Sequence, residues 1–395
     1  MMKARIALAL AATVAACGGG SSPPPQGFDE PIPGVVQTDQ RFASIEAGGS
    51  HVCALTGGGN AWCWGRNDAG QLGAATGICT GENGFATPCS WKPVPVSGDR
   101  AFVQIVAAAE SNCALDAAGR AWCWGLGSWG QLGDGGNVNS ATPVAVAGGH
   151  VFTRLAAGDR LVCGLDASRA LWCWGTAWLW PVTAVPVFAS PVPARWTDAA
   201  AVPFVSIALS PNHACGLDAA GKAWCWGWGR FGALGSDGGQ DSLEPRPVLD
   251  DHVLRAISVG AAHSCALAVD DSAWCWGGGG GVGNSNPPPT SPLPVLPVVG
   301  GLRFAKIASG VGNSCAVGTD GQGWCWGDNQ NRVLGLAEHG GTVGPSPVLG
   351  GYRFIDVALG YQAACGISQD GAAVCWGYNE FGAVGRPIVY HSEPG

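Results

Sequence analysis

The sequence predicts an all-β protein, a seven-bladed β-propeller with four short antiparallel strands and one hairpin disulfide in each blade. Three observations lead to this fold class. A pair of cysteines with nine residues between them recurs seven times, and successive pairs begin 50 to 60 residues apart. Around each pair, apolar residues alternate on both sides of a short polar turn, which is the pattern of a β-hairpin. The chain has 65 glycines and is only 12% charged, as suits a turn-rich modular array with a fixed period.

The 17 cysteines divide without remainder into seven repeat pairs, an eighth pair with the same spacing, and Cys17. Even pairing at this density indicates an oxidising compartment. Structural zinc sites bring ligands within two to four residues of each other, whereas the gap here is nine and the chain has only 7 His. We therefore predict disulfides, with no metal and no cofactor. The predicted pairs are Cys53–Cys63, Cys79–Cys89, Cys113–Cys123, Cys163–Cys173, Cys215–Cys225, Cys265–Cys275, Cys315–Cys325 and Cys365–Cys375.

The first hairpin shows what each repeat builds. If Cys53 faces Cys63, Ala54 lies opposite Trp62 and a three-residue loop, 57–59, joins the strands. Such loops end in a left-handed residue, which favours glycine. Five of the seven equivalent positions are glycine, and the seven are Gly59, Gly119, Arg169, Gly221, Asp271, Gly321 and Gly371.

A short strand precedes each hairpin and a Pro-Val segment follows it, which makes four strands per repeat, the size of one propeller blade. Closing seven blades into a ring removes the exposed sheet edges of an open array. Propellers of this kind commonly complete the last blade with a terminal strand. Both Val35-Val36 and Ile388-Val389 are suitable, and the sequence does not decide between them.

The N-terminus has the features of an export signal. A basic stretch with Lys3 and Arg5 precedes an apolar run, 6–16, which is too short to span a membrane. The run ends Val14-Ala15-Ala16-Cys17, which resembles the lipobox of bacterial lipoproteins. The resemblance implies cleavage before Cys17, a lipid anchor on its sulfur and, because Gly18 follows, a location at the outer membrane of the cell envelope. An ordinary secretory signal is the alternative.

We therefore divide the chain into a signal peptide (1–16), a tether rich in Gly, Ser and Pro (17–40) and the propeller (41–395). Without the two basic residues of the signal, 18 basic residues remain against 28 acidic ones, a formal charge of −10. This balance argues against nucleic acid as a partner.

The repeats resemble those of the regulator of chromosome condensation family over residues 41 to about 390. Gly260 to Leu267 carries the Gly-x-x-His-Ser-Cys-Ala-Leu pattern, and Gly65 to Gly73 ends in Gly-Gln-Leu-Gly. The resemblance implies a seven-bladed propeller that binds other proteins. Exported proteins of this class include a propeller-type β-lactamase inhibitory protein. The nucleotide-exchange activity of nuclear members is not expected in an exported, disulfide-bonded protein.

Motifs that suggest chemistry have structural explanations. The G-x-G-x-x-G stretches 125–130 and 227–232 fall where other repeats have Asn at the third residue, so we expect Gly127 and Gly229 to have positive φ rather than to bind a dinucleotide. His51, His213 and His263 recur two residues before a cysteine in only three repeats. A ring of metal ligands would be broken, so we expect them to form structural hydrogen bonds. No catalytic motif appears, and we predict that the protein is not an enzyme.

Thirteen of the 19 tryptophans belong to the Trp-Cys-Trp element of the repeats and are expected to pack the blades. The third repeat departs from the pattern, because it lacks Gly-Gln-Leu-Gly after Gly175 and has three extra tryptophans. This stretch is either a binding surface or filler for the missing element. Its candidate binding residues are Trp178, Trp180 and Trp196, and a second candidate is Trp91, which follows the Cys79–Cys89 loop.

The predicted function is that of a non-catalytic, envelope-anchored propeller that binds an envelope or extracellular protein, as a scaffold or an inhibitor-like module. Aromatic side chains in surface loops also suit sugars, so a glycan- or peptidoglycan-binding module is the alternative. An enzyme with its active site in the channel is the third and weakest hypothesis.

Overall fold

The computed structural model describes residues 33–80, 86–177, 188–196, 202–236, 239–248, 251–284, 295–338 and 340–387. Within these residues the strands form seven antiparallel sheets, one for each predicted repeat. Six sheets have four strands and the first has five. The first strands of neighbouring blades contact one another around the ring. The predicted fold class, an all-β seven-bladed propeller, is confirmed.

The strands are as follows, from the axis outward in each blade. Blade 1 contains β2 (Phe42–Ala47), β3 (His51–Thr56), β4 (Ala61–Arg66) and β6 (Ala86–Pro95), with β5 (Ile78–Thr80) outermost. Blade 2 contains β7 (Phe102–Ala107), β8 (Ser111–Asp116), β9 (Ala121–Gly125) and β10 (Ser140–Ala145). Blade 3 contains β11 (Phe152–Ala157), β12 (Leu161–Asp166), β13 (Leu171–Ala177) and β14 (Phe188–Arg195). Blade 4 contains β15 (Phe204–Leu209), β16 (His213–Asp218), β17 (Ala223–Gly227) and β18 (Ser242–Pro247).

Blade 5 contains β19 (Leu254–Val259), β20 (His263–Ala268), β21 (Ala273–Gly277) and β22 (Leu296–Pro297). Blade 6 contains β23 (Phe304–Ser309), β24 (Asn313–Gly318), β25 (Gly323–Gly327) and β26 (Thr342–Pro347). Blade 7 contains β27 (Phe354–Leu359), β28 (Ala363–Ser368) and β29 (Ala373–Gly377), with β1 (Gly34–Val35) outermost. Three single 3-10 turns are Ala147–Gly149, Arg230–Gly232 and Gly280–Val282. None of the helices in the described ranges is long and apolar enough to cross a membrane.

The hairpin register is the predicted one in every blade. Cys53 pairs with Cys63 and Ala54 with Trp62, and the same relation recurs in the other six blades. All seven residues at the last loop position have positive φ, including the two that are not glycine, Arg169 and Asp271, both at 67°. Comparison of the seven repeats therefore predicted both the strand pairing and the positive φ of the last loop residue.

Each blade holds a cysteine pair at disulfide distance. In the seven hairpins the two Cα atoms are 4.1 Å apart, and each bond links the second strand of a blade to the third. Cys79 and Cys89 are also at disulfide distance and join β5 to β6 at the outer edge of blade 1, although the strand partner of Cys79 is Thr87.

The N-terminal strand closes the ring. Gly34 pairs with Cys375 and Val35 with Val374, so β1 becomes the fourth strand of blade 7. Val36 continues the contact, because its N–H donates to the carbonyl of Ala373 at 2.8 Å. Residues 388–389, the other candidate, lie outside the described residues.

Seven hydrophobic clusters hold the propeller together, and each one lies between two adjacent blades. The second tryptophan of each Trp-Cys-Trp element packs against the preceding blade; Trp124, for example, shares a cluster with Leu72 of blade 1. Because side chains alternate along a strand, the cysteines lie on the face opposite the second tryptophan of their own blade. Cys63 therefore faces blade 2 and lies in the cluster that contains Trp124. The buried apolar side chains therefore pack between blades.

One backbone prediction was wrong. Gly229 has a φ of −99°, and Gly127 is not among the positive-φ residues. These positions need glycine because another backbone segment comes too close for a side chain: a Cβ would overlap the carbonyl oxygen of Val138 at Gly127 and that of Gln240 at Gly229. Their N–H groups donate instead to Asn139 and Asp241. Both stretches lie in irregular turns after a third strand, not at the start of a βαβ helix.

Candidate functional site

In six blades a short turn that follows the third strand packs against the next blade. We call it the joining turn. It comprises the residues equivalent to Gly70–Gly73. Its second residue accepts a hydrogen bond through its carbonyl oxygen from the second tryptophan of the next blade, and its third residue is a buried Leu or Val. The six bonds, at 2.7 to 3.1 Å, run from Trp124 to Gln71, Trp174 to Gln131, Trp276 to Ala233, Trp326 to Gly281, Trp376 to Val333 and Trp64 to Ala383.

The joining turn is missing from the third repeat, and a cavity of about 410 Å³ lies between blades 3 and 4. Trp226 forms part of its wall, with Trp129 and Trp196. The side chain of Trp226 is 5% exposed, against 0 to 1% for its six equivalents. Its Nε1–H donates to no residue that the structure describes. Among the described residues, the space that a joining turn fills at six interfaces is therefore unfilled between blades 3 and 4.

Trp196 occupies a position that is valine in the other six blades. Its N–H donates to the carbonyl of Leu171, as that of Val96 does to Ala61 in blade 1. The indole is 8% exposed, stacks on Phe188 with a ring-centroid distance of 5.1 Å, and lies in one cluster with Trp226. Its Nε1 has no acceptor among the described residues, although Trp196 borders the cavity. Trp196 thus replaces a smaller residue, and part of the space remains.

The cavity also has an exposed aromatic and charged border. Trp129 is 38% exposed, and the Arg160 guanidinium lies 4.5 Å from its ring centroid. Arg160 is also 3.4 Å from the carboxylate of Asp159. Burial raises the pKa of that carboxyl, and Arg160 opposes the rise. The border can therefore contact both an apolar group and a charged one.

Most polar side chains in the cavity wall are already bonded within the protein. Thr176 donates to the carbonyl of Trp129 at 3.0 Å, and Asn212 donates to that of Ala261 at 2.8 Å. Ser210 bonds to the carbonyl of His213 at 3.0 Å. Away from the charged pair Asp159 and Arg160 at the border, the indole N–H groups of Trp196 and Trp226 are the side-chain donors of the wall without an acceptor among the described residues.

The three histidines form hydrogen bonds between blades, as expected. His51 bonds to Asn112 at 2.9 Å, His213 to Ser264 at 2.7 Å and His263 to Ser314 at 2.9 Å. Burial lowers the pKa of His51 and of His263 to about 4, and that of His213 to about 3, with the charge of His263 as a further cause for His213. All three are neutral at pH 7. Among the described residues, no three His, Cys, Asp or Glu side chains gather as a metal site would require.

The other predicted surface residues are not brought together. Trp91 lies in β6 of blade 1, where Lys92 approaches its ring to 4.9 Å and its backbone packs against Gly382 of blade 7. Trp178 and Trp180 lie outside the described residues, as does Cys17. Sequence reasoning missed Trp129 and Trp226, because it assigned Trp226 with the other repeat tryptophans to blade packing and did not include Trp129 among the candidates. The loss of the joining turn before Trp226 was the signal that could have identified it.

Two carboxylates meet where the ring closes. Asp356 of blade 7 accepts a hydrogen bond from the backbone N–H of Ile45 at 3.3 Å and lies 3.6 Å from the ammonium of Lys306. Burial, with the charge of Asp356, raises the pKa of Glu46 to about 8, and Lys306 opposes the rise. Neither carboxylate borders the cavity between blades 3 and 4 or the depression at the axis. This pair therefore belongs to the contact between blades 7 and 1 and does not border either cavity.

The raised pKa of Glu46 predicts a pH effect on stability. The folded state retains a proton that the unfolded chain releases above its ordinary pKa of 4.5, so this contribution is full below about pH 4.5 and is lost as the pH rises to about 8. We expect Glu46→Gln to match the parent near pH 4.5 and to exceed it in urea midpoint at pH 8.5. Parallel midpoint profiles for the two proteins would contradict the assignment.

The hydrogen bonds to the joining turns predict that a Trp→Phe substitution lowers the free energy of unfolding more at position 376 than at the equivalent position 226. Trp376→Phe removes the N–H that bonds to the carbonyl of Val333 at 2.7 Å and leaves that buried oxygen unpaired. Trp226→Phe removes an N–H that has no described partner. We expect Trp376→Phe to lower the free energy of unfolding by about 1–3 kcal/mol more than Trp226→Phe, as measured by urea denaturation. Equal losses would show that packing alone, and not the bond, decides the effect.

The molecule is therefore a closed seven-bladed propeller with a cysteine pair at disulfide distance in each blade and a pocket between blades 3 and 4. Two forms of the regulator of chromosome condensation (RCC1) repeat match it, one at residues 42–71, 204–233 and 354–383 and the other at 58–115, 118–165 and 220–267. Together they cover more than half of the chain, which belongs to this repeat family.

Solved structures of similar fold come from several organisms. Prp20p of Saccharomyces cerevisiae, described with binding properties to Gsp1p and histones, is 22% identical over 85% of this chain and 82% of its own, with a TM-score of 0.68. Human WBSCR16 is 18% identical over 91% and 94%, with a TM-score of 0.71. The ectodomain of the Arabidopsis thaliana receptor kinase ACR4 is 19% identical over 89% and 98%, with a TM-score of 0.53. At these identities the likeness concerns the fold.

Proposed function

We propose that this protein is a non-catalytic, envelope-anchored binding module, and that it captures a partner protein at the cavity between blades 3 and 4. The observation that carries the proposal is the missing joining turn, which leaves Trp226 and Trp196 at an open, largely apolar cavity with an exposed aromatic border. Buried aromatic anchors with a polar rim are typical of protein-binding hot spots. Protein binding also agrees with what is described for yeast Prp20p.

The envelope location rests on the first 17 residues. In the proposed mature protein, a diacylglyceryl group on Cys17 holds the tether at the membrane and leaves the propeller free to meet partners. Metabolic labelling with an alkyne fatty acid should mark the parent chain and fail to mark Cys17→Ser. Labelling that survives this substitution would remove the anchor from the proposal.

The binding site can be tested with a matched pair of variants. Trp129→Ala removes the exposed aromatic ring at the border of the cavity, whereas Phe231→Ala removes a 58% exposed ring at the equivalent loop position of blade 4, away from the cavity. The full chain, solubilised in detergent, is used to capture proteins from an envelope extract of the source organism. We expect one protein to be retained by the parent and by Phe231→Ala and lost with Trp129→Ala.

The glycan alternative is tested with the same proteins. An exposed tryptophan also suits stacking on a sugar ring, so purified cell-wall peptidoglycan replaces the extract in a sedimentation assay. Co-sedimentation that is lost with Trp129→Ala, together with no specific protein capture, would move the function to sugar binding. Equal protein capture by all three chains would remove the site from this cavity.

A further inference from the structure

The six joining turns show what the space between two blades accepts. In blade 4, Leu234 lies in one cluster with Trp276 of blade 5, and the carbonyl of Ala233 accepts the indole N–H at 3.0 Å. The last residue, Gly235, lies against the end of its own blade, since a Cβ there would be 2.8 Å from Val248. Each inter-blade space is therefore complementary to a turn with an aliphatic side chain, the carbonyl before it, and a glycine after it.

Between blades 3 and 4, the aromatic pair against which such a turn would pack has nearly the same geometry as in blade 3. The ring centroids of Trp226 and Phe204 are 5.5 Å apart, the same distance as between Trp174 and Phe152 of blade 3. The Trp226 ring therefore lies on Phe204 at the same distance as at an interface that holds a joining turn. The indole N–H that receives the carbonyl elsewhere is unpaired among the described residues, and the buried N–H of Trp196 is a second donor without an acceptor.

We propose that the partner protein inserts a turn of its own, of the form Gly-x-Leu-Gly, and so completes the interface between blades 3 and 4. The inference rests on the proposed function and specifies its partner. The partner's leucine fills the apolar space beside Trp226, the carbonyl before the leucine accepts the Trp226 N–H, and the glycine lies over Trp196. The partner thereby supplies the turn that this chain itself supplies at the other six interfaces.

The chemistry of the wall favours a peptide over a sugar at this position. A sugar ring presents several hydroxyl groups, each of which needs a polar partner when buried. The side chains of Thr176 and Asn212 are committed to backbone carbonyls of the protein itself. Beside Trp226 and Trp196, away from the Asp159 and Arg160 border, two N–H donors remain in an apolar surround. Such a wall is the complement of a backbone turn with one aliphatic side chain.

The test uses a cyclic peptide that copies residues 68–74 of this chain, the joining turn of blade 1. The full chain, labelled with ¹⁵N at the tryptophan indoles, is titrated in detergent, and the Nε1–H resonances are followed. We expect one buried indole resonance to shift saturably, and its absence from the spectrum of Trp226→Phe assigns it. That variant should bind about five-fold more weakly because one hydrogen bond is lost. A peptide with Leu72→Asp should bind at least ten-fold more weakly, and Phe231→Ala should bind as the parent does.

Three results would overturn the inference: no saturable shift, equal binding of the Leu72→Asp peptide, or binding that appears only after residues 178–187 are replaced by a Gly-Ser segment of equal length. The last would mean that this chain occupies the cavity itself. Failure of the peptide while capture still depends on Trp129 would leave the proposed function intact and reject only the donated turn. Failure of both would reject the site.

Discussion

Removal of the blade 6 disulfide by the double substitution Cys315→Ala, Cys325→Ala is expected to lower the free energy of unfolding by about 2–3 kcal/mol. A closed loop of ten residues restricts the unfolded chain by roughly 2.7 kcal/mol on the loop-entropy model, and residual hairpin structure reduces this value. Both cysteines are fully buried, and their strands form the middle of the sheet. The loss should therefore affect the main unfolding transition, as measured by urea denaturation under non-reducing conditions.

The eighth cysteine pair provides a control with the same loop length. Cys79 and Cys89 are also ten residues apart, so the loop-entropy term is equal. Their bond, however, joins β5 to β6 outside the four-strand frame of the blade. We expect Cys79→Ala, Cys89→Ala to leave the midpoint of the main transition nearly unchanged and to expose the β5 segment to proteolysis. An equal drop in midpoint for the two double variants would show that the outer strand belongs to the cooperative unit.

The repeats made much of the fold predictable because seven copies serve as replicates. The Cys53–Cys63 register and the positive φ of Arg169 followed from comparing equivalent positions. The closing strand did not, because both ends of the chain carry an apolar pair and the choice depends on which edge of the last blade each reaches. Gly127 and Gly229 were misread because a glycine that relieves a steric contact and one that permits positive φ look the same in sequence.

The site was harder to predict than the fold, because it arises from the absence of the joining turn in the third repeat. The sequence identified the third repeat as the exception but assigned interest to its extra tryptophans. The structure locates the consequence on the facing blade, where Trp226 follows the repeat pattern in every respect. The replacement of valine by Trp196 was visible in the alignment of the repeats, whereas the remaining volume depends on three-dimensional packing. The meeting of Glu46 with Asp356 likewise required the ring to be closed.

Gly277→Ala is expected to be strongly destabilising, with a loss of about 3 kcal/mol or more in the free energy of unfolding. Gly277 has a φ of 103°, and a Cβ would lie 2.6 Å from the carbonyl oxygen of Ala262 and 2.7 Å from the Cα of His263. Both contacts are backbone atoms at the start of the paired strand, and the Ala262 carbonyl also accepts the N–H of Gly278, so neither can shift without disturbing the hairpin.

Gly321→Asn is the matched control for that substitution, because it also introduces a side chain at positive φ. Gly321 has a φ of 84°, but its nearest contact would be the flexible end of Gln369, at 3.3 Å. The equivalent residues Arg169 and Asp271 already adopt this conformation, and asparagine tolerates it well. We expect a loss below about 1 kcal/mol. Urea midpoints that fall equally for Gly277→Ala and Gly321→Asn would show that the backbone conformation alone, and not the close approach of the paired strand, requires glycine at the end of each Trp-Cys-Trp-Gly element.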